Sequence, residues 1–154
     1  MVKNVLKKNE KRRKNNKGFS LVELIVVIAI MAVLVGVLAP QFIKYVERSR
    51  QSTDLQNVEE LKNAIEVAAA DDGLGSATSV TITIDNKKAT IGGVASIDSL
   101  AKTNVDLKSS GWGKMVFTYS TTDLKWTDDG SVTYNSKSPA RNMAEVFSLT
   151  GKNK

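Results

Sequence analysis

Two hydrophobic periods divide the chain. From Leu24 to Ala39, sixteen residues follow one another without a polar side chain, a run approaching the length that crosses a lipid bilayer as a helix. After Pro40 and Gln41 the apolar positions thin to one in three or four: Ile43, Val46, then Leu55, Val58, Leu61, Ile65 and Ala68 or Ala69. This is the spacing of one buried helix face. Ser49 and Ser52 fill the gap between Val46 and Leu55, while Lys44, Glu47, Arg48, Arg50, Asp54, Glu59, Glu60 and Lys62 read as the opposite, solvated side. The pattern predicts one helix from near Phe19 to Asp72, 54 residues, or roughly 80 Å at 1.5 Å per residue. Asp71-Asp72-Gly73-Leu74-Gly75 predicts its end, with a glycine supplying the positive φ of the cap. Pro40 removes a backbone hydrogen bond near the middle and crowds the carbonyl four residues earlier, and Gly36 adds a second weak point, so a kink is expected there.

Beyond Gly75 the period falls to two. Val80, Ile82 and Ile84 alternate with Thr81, Thr83 and Asp85; Asn86-Lys87-Lys88 then separates them from Ala89-Thr90-Ile91 and the Gly92-Gly93 break. That reads as a β-hairpin. Ser96 to Lys102 reads as a helical turn or a loop. Three more short strands are expected at Met115–Tyr119, Leu124–Thr127 and Ser131–Tyr134, the last two joined by an Asp128-Asp129-Gly130 turn. Ala144 to Leu149 fits an edge strand or a helical turn equally. Trp112, Phe117, Tyr119, Trp126, Tyr134 and Phe147 are read as core and cross-strand pairs. The 80 residues from Gly75 onward are few for a self-sufficient core. The sheet is therefore expected to pack on the apolar stripe of the helix, giving a single α+β unit with a projecting hydrophobic spine.

Charge separates the start of the chain from the rest. The first eighteen residues hold eight Lys/Arg against one acid, Glu10, whereas the remainder holds 22 − 8 = 14 basic and 16 − 1 = 15 acidic side chains. The net charge of +6 is thus a property of the leader and makes a poor argument for nucleic-acid binding. Basic residues beside an apolar span stay on the cytoplasmic side, which sets the leader inside and everything after Pro40 outside.

Between leader and apolar run lies Lys17-Gly18-Phe19-Ser20-Leu21-Val22-Glu23. A carboxylate at the mouth of a membrane-length run is costly in lipid and calls for a partner. An ordinary secretory signal leaves Glu23 unexplained, and a cut after Ala39 would put Pro40 at the new terminus. A plain membrane anchor accounts for the length and not for the Gly-Phe junction. Ser20-x-x-Glu23 is also a capping-box pattern, in which the carboxylate satisfies an amide at a helix start.

The combination of Gly18-Phe19, Glu23, the apolar run and Pro40 resembles the processing and assembly signal of type IV prepilins, over about residues 11 to 50. The resemblance implies a leader of residues 1–18 removed by cleavage between Gly18 and Phe19, N-methylation of Phe19, a transmembrane and filament-core helix over 19–43, and an extracellular α+β unit over 44–154. It implies that Glu23 pairs with a neighbouring subunit's amino terminus, and that Gly36 and Pro40 mark a place where the helix opens in the filament. Many members carry a glycine two turns before the proline, where this chain has Ala32. The partners implied are a prepilin peptidase, an assembly ATPase with its membrane platform, and copies of the same chain in a helical surface filament, reached from a precursor in the cytoplasmic membrane.

Composition removes other classes. The chain has no histidine and no cysteine, which excludes imidazole-assisted or thiol catalysis, thiolate or imidazole zinc sites and any disulfide. No cofactor is called for, and no enzyme. Two further readings remain beside a pilus subunit. One is a pseudopilin of type II secretion or DNA uptake, whose major secretion members carry calcium; Asp123, Asp128 and Asp129 are the acids that could imitate that site, though without regular oxygen-ligand spacing. The other is a surface DNA-binding module using Lys87, Lys88, Lys108, Lys114 and Lys125, scattered without an arginine stripe or regularly spaced stacking aromatics.

Overall fold

The computed structural model describes residues 18–94, 97, 104–130, 132, 134–135 and 137–149. The leader before Gly18 and the Ser96–Lys102 segment, Ile97 apart, lie outside these. The chain divides into two compact units, one ending at Gln41 and one beginning at Phe42.

The first unit is the opening of helix α1 (Leu21–Ala70). From Leu24 to Leu38 its side chains are apolar on every side and exposed; the large hydrophobics from Leu21 to Leu38 leave between 45% and 72% of their surfaces in solvent. A helix that is hydrophobic all round and covered by nothing belongs in lipid or in an assembly. The helix continues across Gly36 and Pro40, with the proline inside it.

In the second unit the remainder of α1 packs on a five-stranded antiparallel sheet. The strands are β1 (Ser79–Asp85), β2 (Lys88–Gly92), β3 (Asn104–Asp106), β4 (Met115–Ser120) and β5 (Lys125–Asp128), ordered β3-β2-β1-β4-β5. The period-two pattern does its expected work: Val80, Ile82 and Ile84 of β1 are buried, as are Met115, Phe117 and Tyr119 of β4. Register puts them opposite one another, Ile82 against Phe117 and Ile84 against Met115. Hairpin β1–β2 closes with Asp85 opposite Lys88, and Asn86 takes φ 52° in the turn, a conformation asparagine tolerates better than most. Gly93 follows β2 at φ 90°, where a Cβ would stand 2.6 Å from the Ser79 carbonyl oxygen. Only glycine fits there.

Helix α1 presents Val58, Leu61, Ile65 and Ala68 to the same core. It ends in a Schellman cap: the Gly73 amide donates to the Ala68 carbonyl at 2.8 Å, and the positive φ falls on Asp72 at 55°, not on Gly73 as glycine's freedom suggests. The ambiguous C-terminal segment is helical. Helix α2 (Pro139–Val146) starts with Ser138 as N-cap and proline at its first turn, buries Met143 and Ala144, and ends with Leu149 N–H on the Ala144 carbonyl. Phe147 just beyond it stacks on Phe117 with centroids 4.1 Å apart.

The expected strand Ser131–Tyr134 falls in part on positions 131 and 133, which lie outside the described residues; Val132 and Tyr134 are buried, and among the described residues β5 is the outermost strand on that side. The Gly130 amide folds back on Asp128 at 2.9 Å, Gly130 adopts φ 75°, and the Tyr134 hydroxyl donates to the same carboxylate at 3.1 Å. The side chain of Asp128 thus organises the turn after β5 and reaches the buried Tyr134.

Candidate processing and assembly site

Gly18 and Phe19 precede the helix in non-helical backbone. Phe19 is 93% exposed, and nothing lies within 4 Å of where a Gly18 side chain would begin. Among the described residues no packing requires residue 18 to be glycine. Ser20 is the N-cap: its carbonyl accepts from Leu24 N–H at 3.2 Å and its hydroxyl oxygen from Val22 N–H at 3.4 Å. Glu23 completes a capping box by accepting the Ser20 amide on Oε2 at 2.7 Å. The cap expected from Ser20-x-x-Glu23 is therefore present, and the Glu23 carboxylate stands at the head of the apolar run with Phe19, Val22, Val26 and Val27 around it. By length and composition the described chain has one helix apolar enough to cross a membrane.

A second group of carboxylates fastens the sheet-bearing part of the chain to α1. Asp54 is fully buried. It is not on the solvated face expected of it: positions 54, 58, 61, 65 and 68 form one stripe at alternating spacings of four and three, and Asp54 is its first member. The carboxylate accepts three N–H groups, from Lys108 at 2.7 Å, Ser109 at 2.8 Å and the Trp112 indole at 2.9 Å. About two turns earlier, Glu47 accepts from the buried Ser109 hydroxyl at 2.5 Å. Between them Ser52 and Thr53 turn their hydroxyls onto the carbonyls of Arg48 and Ser49, so these polar residues satisfy themselves within the helix. Further along, Glu66 accepts from the Trp126 indole of β5 at 2.8 Å and lies 2.9 Å from Lys62. Burial pushes the Glu66 carboxyl up, but the hydrogen bonds from Lys62 and Trp126, with the Lys62 charge, outweigh it and hold the group below its ordinary value. Tyr134 is raised well above the usual phenol range by burial first, and then by the charge and hydrogen bond of Asp128. Asp54 and Glu47 were missed because charged residues on a helix default to its wet face; the unbroken 54–58–61–65–68 spacing was the available signal.

The three acids considered for calcium do not converge. Asp123 accepts from the Ser120 hydroxyl, Asp128 from Gly130 and Tyr134, and among the described residues no group of three acids is arranged to hold a metal ion. Of the six aromatics read as core, five are buried and Trp126 is part-exposed; it meets Tyr119 and Phe147 at 5.1 and 4.7 Å, as a core edge does.

The family comparison falls on the same segment. Residues 13–39 match the family model described as the prokaryotic N-terminal methylation motif. The chain is 36% identical over 90 residues to prepilin peptidase-dependent protein A of Clostridium perfringens, covering 58% of this chain and 64% of that protein. It is 34% identical over 77 residues to the type IV major fimbrial protein FimA of Dichelobacter nodosus, covering 50% and 49%, and 43% identical over 49 residues to the type IV major pilin protein PilA of Myxococcus xanthus, covering 32% and 22%. The chain thus spans less than two thirds of the length of each of these relatives. No solved structure matches. The chain carries the prokaryotic N-terminal methylation motif over residues 13–39, ahead of an α+β fold of one long helix on a five-stranded antiparallel sheet.

Proposed function

We propose that this protein is a structural subunit of a type IV pilus. A prepilin peptidase cuts between Gly18 and Phe19 and methylates the new Phe19 terminus. An assembly ATPase with its membrane platform then moves the processed chain from the cytoplasmic membrane into a helical surface filament, with the apolar part of α1 inside and the α+β unit outside. Glu23 neutralises the amino terminus of a neighbouring copy, and the helix opens around Gly36 and Pro40 in the assembled state. The domain limits that go with this are a leader over 1–18, a core helix over 19–43 and a globular unit over 44–154.

The observation that carries the reading is the helix opening itself: an exposed Gly-Phe bond, a carboxylate at the helix head and an apolar surface covered by nothing, all within one segment. A plain anchor needs only the last of these. The printed names of two relatives, a major fimbrial protein and a major pilin, favour a pilus over a pseudopilus.

Gly18→Val tests it. Because no described residue packs at that position, the substitution should leave the folded unit intact and act on recognition by the peptidase. Cells expressing it should retain a full-length precursor in the membrane and shed no filaments. Normal processing and filament yield would reject the assignment of the junction.

A further inference from the structure

The globular unit carries an open groove beside its first helical turns, where α1 faces the start of α2. Its charged lining is Lys44, Arg48 and Lys137 with one acid, Glu47, and the amides of Gln51 and Asn142 add neutral donors. Glu47 is already engaged, accepting from Ser109 and lying 3.8 Å from Arg50. Among the described residues, none of Lys44, Arg48 and Lys137 has an ion-pair partner. Like charges gathered in a groove repel unless something negative occupies it.

The position of the groove in the chain identifies that occupant. Residues 24 to 43 as helix cover roughly 30 Å, the thickness of a bilayer's hydrocarbon. Wherever the run crosses, its outer end falls near Ile43. Phe42 and Tyr45, 68% and 64% exposed, stand where aromatic side chains settle at a membrane surface. Lys44 and Arg48, one turn apart on the same helix face, come next and reach the headgroup layer. Cations just outside a span work against the orientation that a basic leader imposes. Their presence here therefore calls for a role of its own.

We propose that this groove holds the phosphate of an anionic phospholipid headgroup on the outer face of the membrane, seating the globular unit on the bilayer while the subunit awaits assembly. This rests on the membrane-anchored reading above. The contact is electrostatic, so it is screened by salt and given up when the subunit leaves the bilayer.

The test uses the full-length chain reconstituted into vesicles of phosphatidylcholine, alone or mixed with phosphatidylglycerol. Both tryptophans, Trp112 and Trp126, lie in the globular unit, so their fluorescence follows its thermal unfolding. Phosphatidylglycerol should raise the midpoint by roughly 3–6 °C at low salt, because a ligand of the folded state stabilises it, and high salt should remove the shift. Lys44→Gln, Arg48→Gln and Lys137→Gln combined should abolish the shift while leaving the phosphatidylcholine midpoint unchanged; Lys44→Arg with Lys137→Arg should keep it. Equal wild-type midpoints in the two lipids would overturn the inference, and that comparison does not depend on any variant folding. If free inorganic phosphate added to phosphatidylcholine vesicles gives the full shift, the groove takes a soluble anion and the lipid assignment is wrong. A chain that fails to float with the vesicles at all would reject the membrane reading, and this inference with it.

Discussion

Glu23 has a partner within its own chain, the Ser20 amide at 2.7 Å, and this bears on how its second role can be tested. Glutamine serves the same capping box, so Glu23→Gln should leave the isolated subunit's stability and its processing unchanged. If the carboxylate also neutralises a neighbour's terminus inside an apolar core, the same change strands a charge at a cost of about 3–5 kcal/mol. The variant, as sole copy, should be cleaved normally and be missing from filaments sheared off cells; wild-type filament yield would leave the cap as its whole function. Asp54 is the opposite case, a residue with all its partners inside one chain. Asp54→Ala leaves three N–H donors unsatisfied, two on the backbone and one on Trp112, and should cost about 3 kcal/mol or more. A urea midpoint that barely moves would show that the loop of Lys108 to Trp112 is held by packing alone. The cap made by Glu23 was legible in the sequence because Ser20-x-x-Glu23 is the spacing of a capping box. Asp54 was not, because what makes it buried is a loop 54 to 58 residues away in the chain.

Among the elements, α1 and the central hairpins were legible because their periodicity is long and unbroken, the 3.6-residue stripe over Val58–Ala68 and the alternation over β1 and β4. The edges were not. Around Val132 and Tyr134 the contacts seen are those of a side chain, Asp128 accepting from Gly130 and Tyr134; such side-chain chemistry has no period. The helix end was placed correctly but its conformation was assigned to glycine, whereas Asp72 carries the positive φ. Asp72→Gly should therefore stabilise the globular unit, by about 0.5–1 kcal/mol, and an unfolding midpoint that falls would contradict the cap. Two junctions between elements also titrate. Glu66 is held below its ordinary value, so what its Lys62 and Trp126 contacts contribute is complete above the unfolded carboxyl's range and disappears as pH falls through the lower folded value. Wild type and Glu66→Gln should converge in stability as pH drops below about 4. Tyr134 is raised, so its contribution is complete below about pH 10 and declines as pH rises beyond it; Tyr134→Phe should flatten that alkaline loss.

At the scale of the whole molecule, two units with opposite solvent requirements share one helix. Among the described residues, none up to Gln41 is buried, while the part from Phe42 has its own core of twenty buried apolar residues reaching from Val58 to Phe147. A fragment beginning at Lys44 keeps Glu47, Asp54 and Glu66 and all of that core. It should be soluble and unfold cooperatively by circular dichroism, whereas the full chain should stay in membrane or detergent fractions. Non-cooperative melting would mean that the sheet needs the apolar segment to fold. The central claim is that the helix opening is a processing and assembly device. Mass spectrometry of the amino terminus, on protein sheared from cells as filaments, tests it most directly. The account predicts a chain beginning at N-methylated Phe19 with Glu23 intact; a mature terminus at Pro40 or Gln41, or an unprocessed Met1, would contradict it.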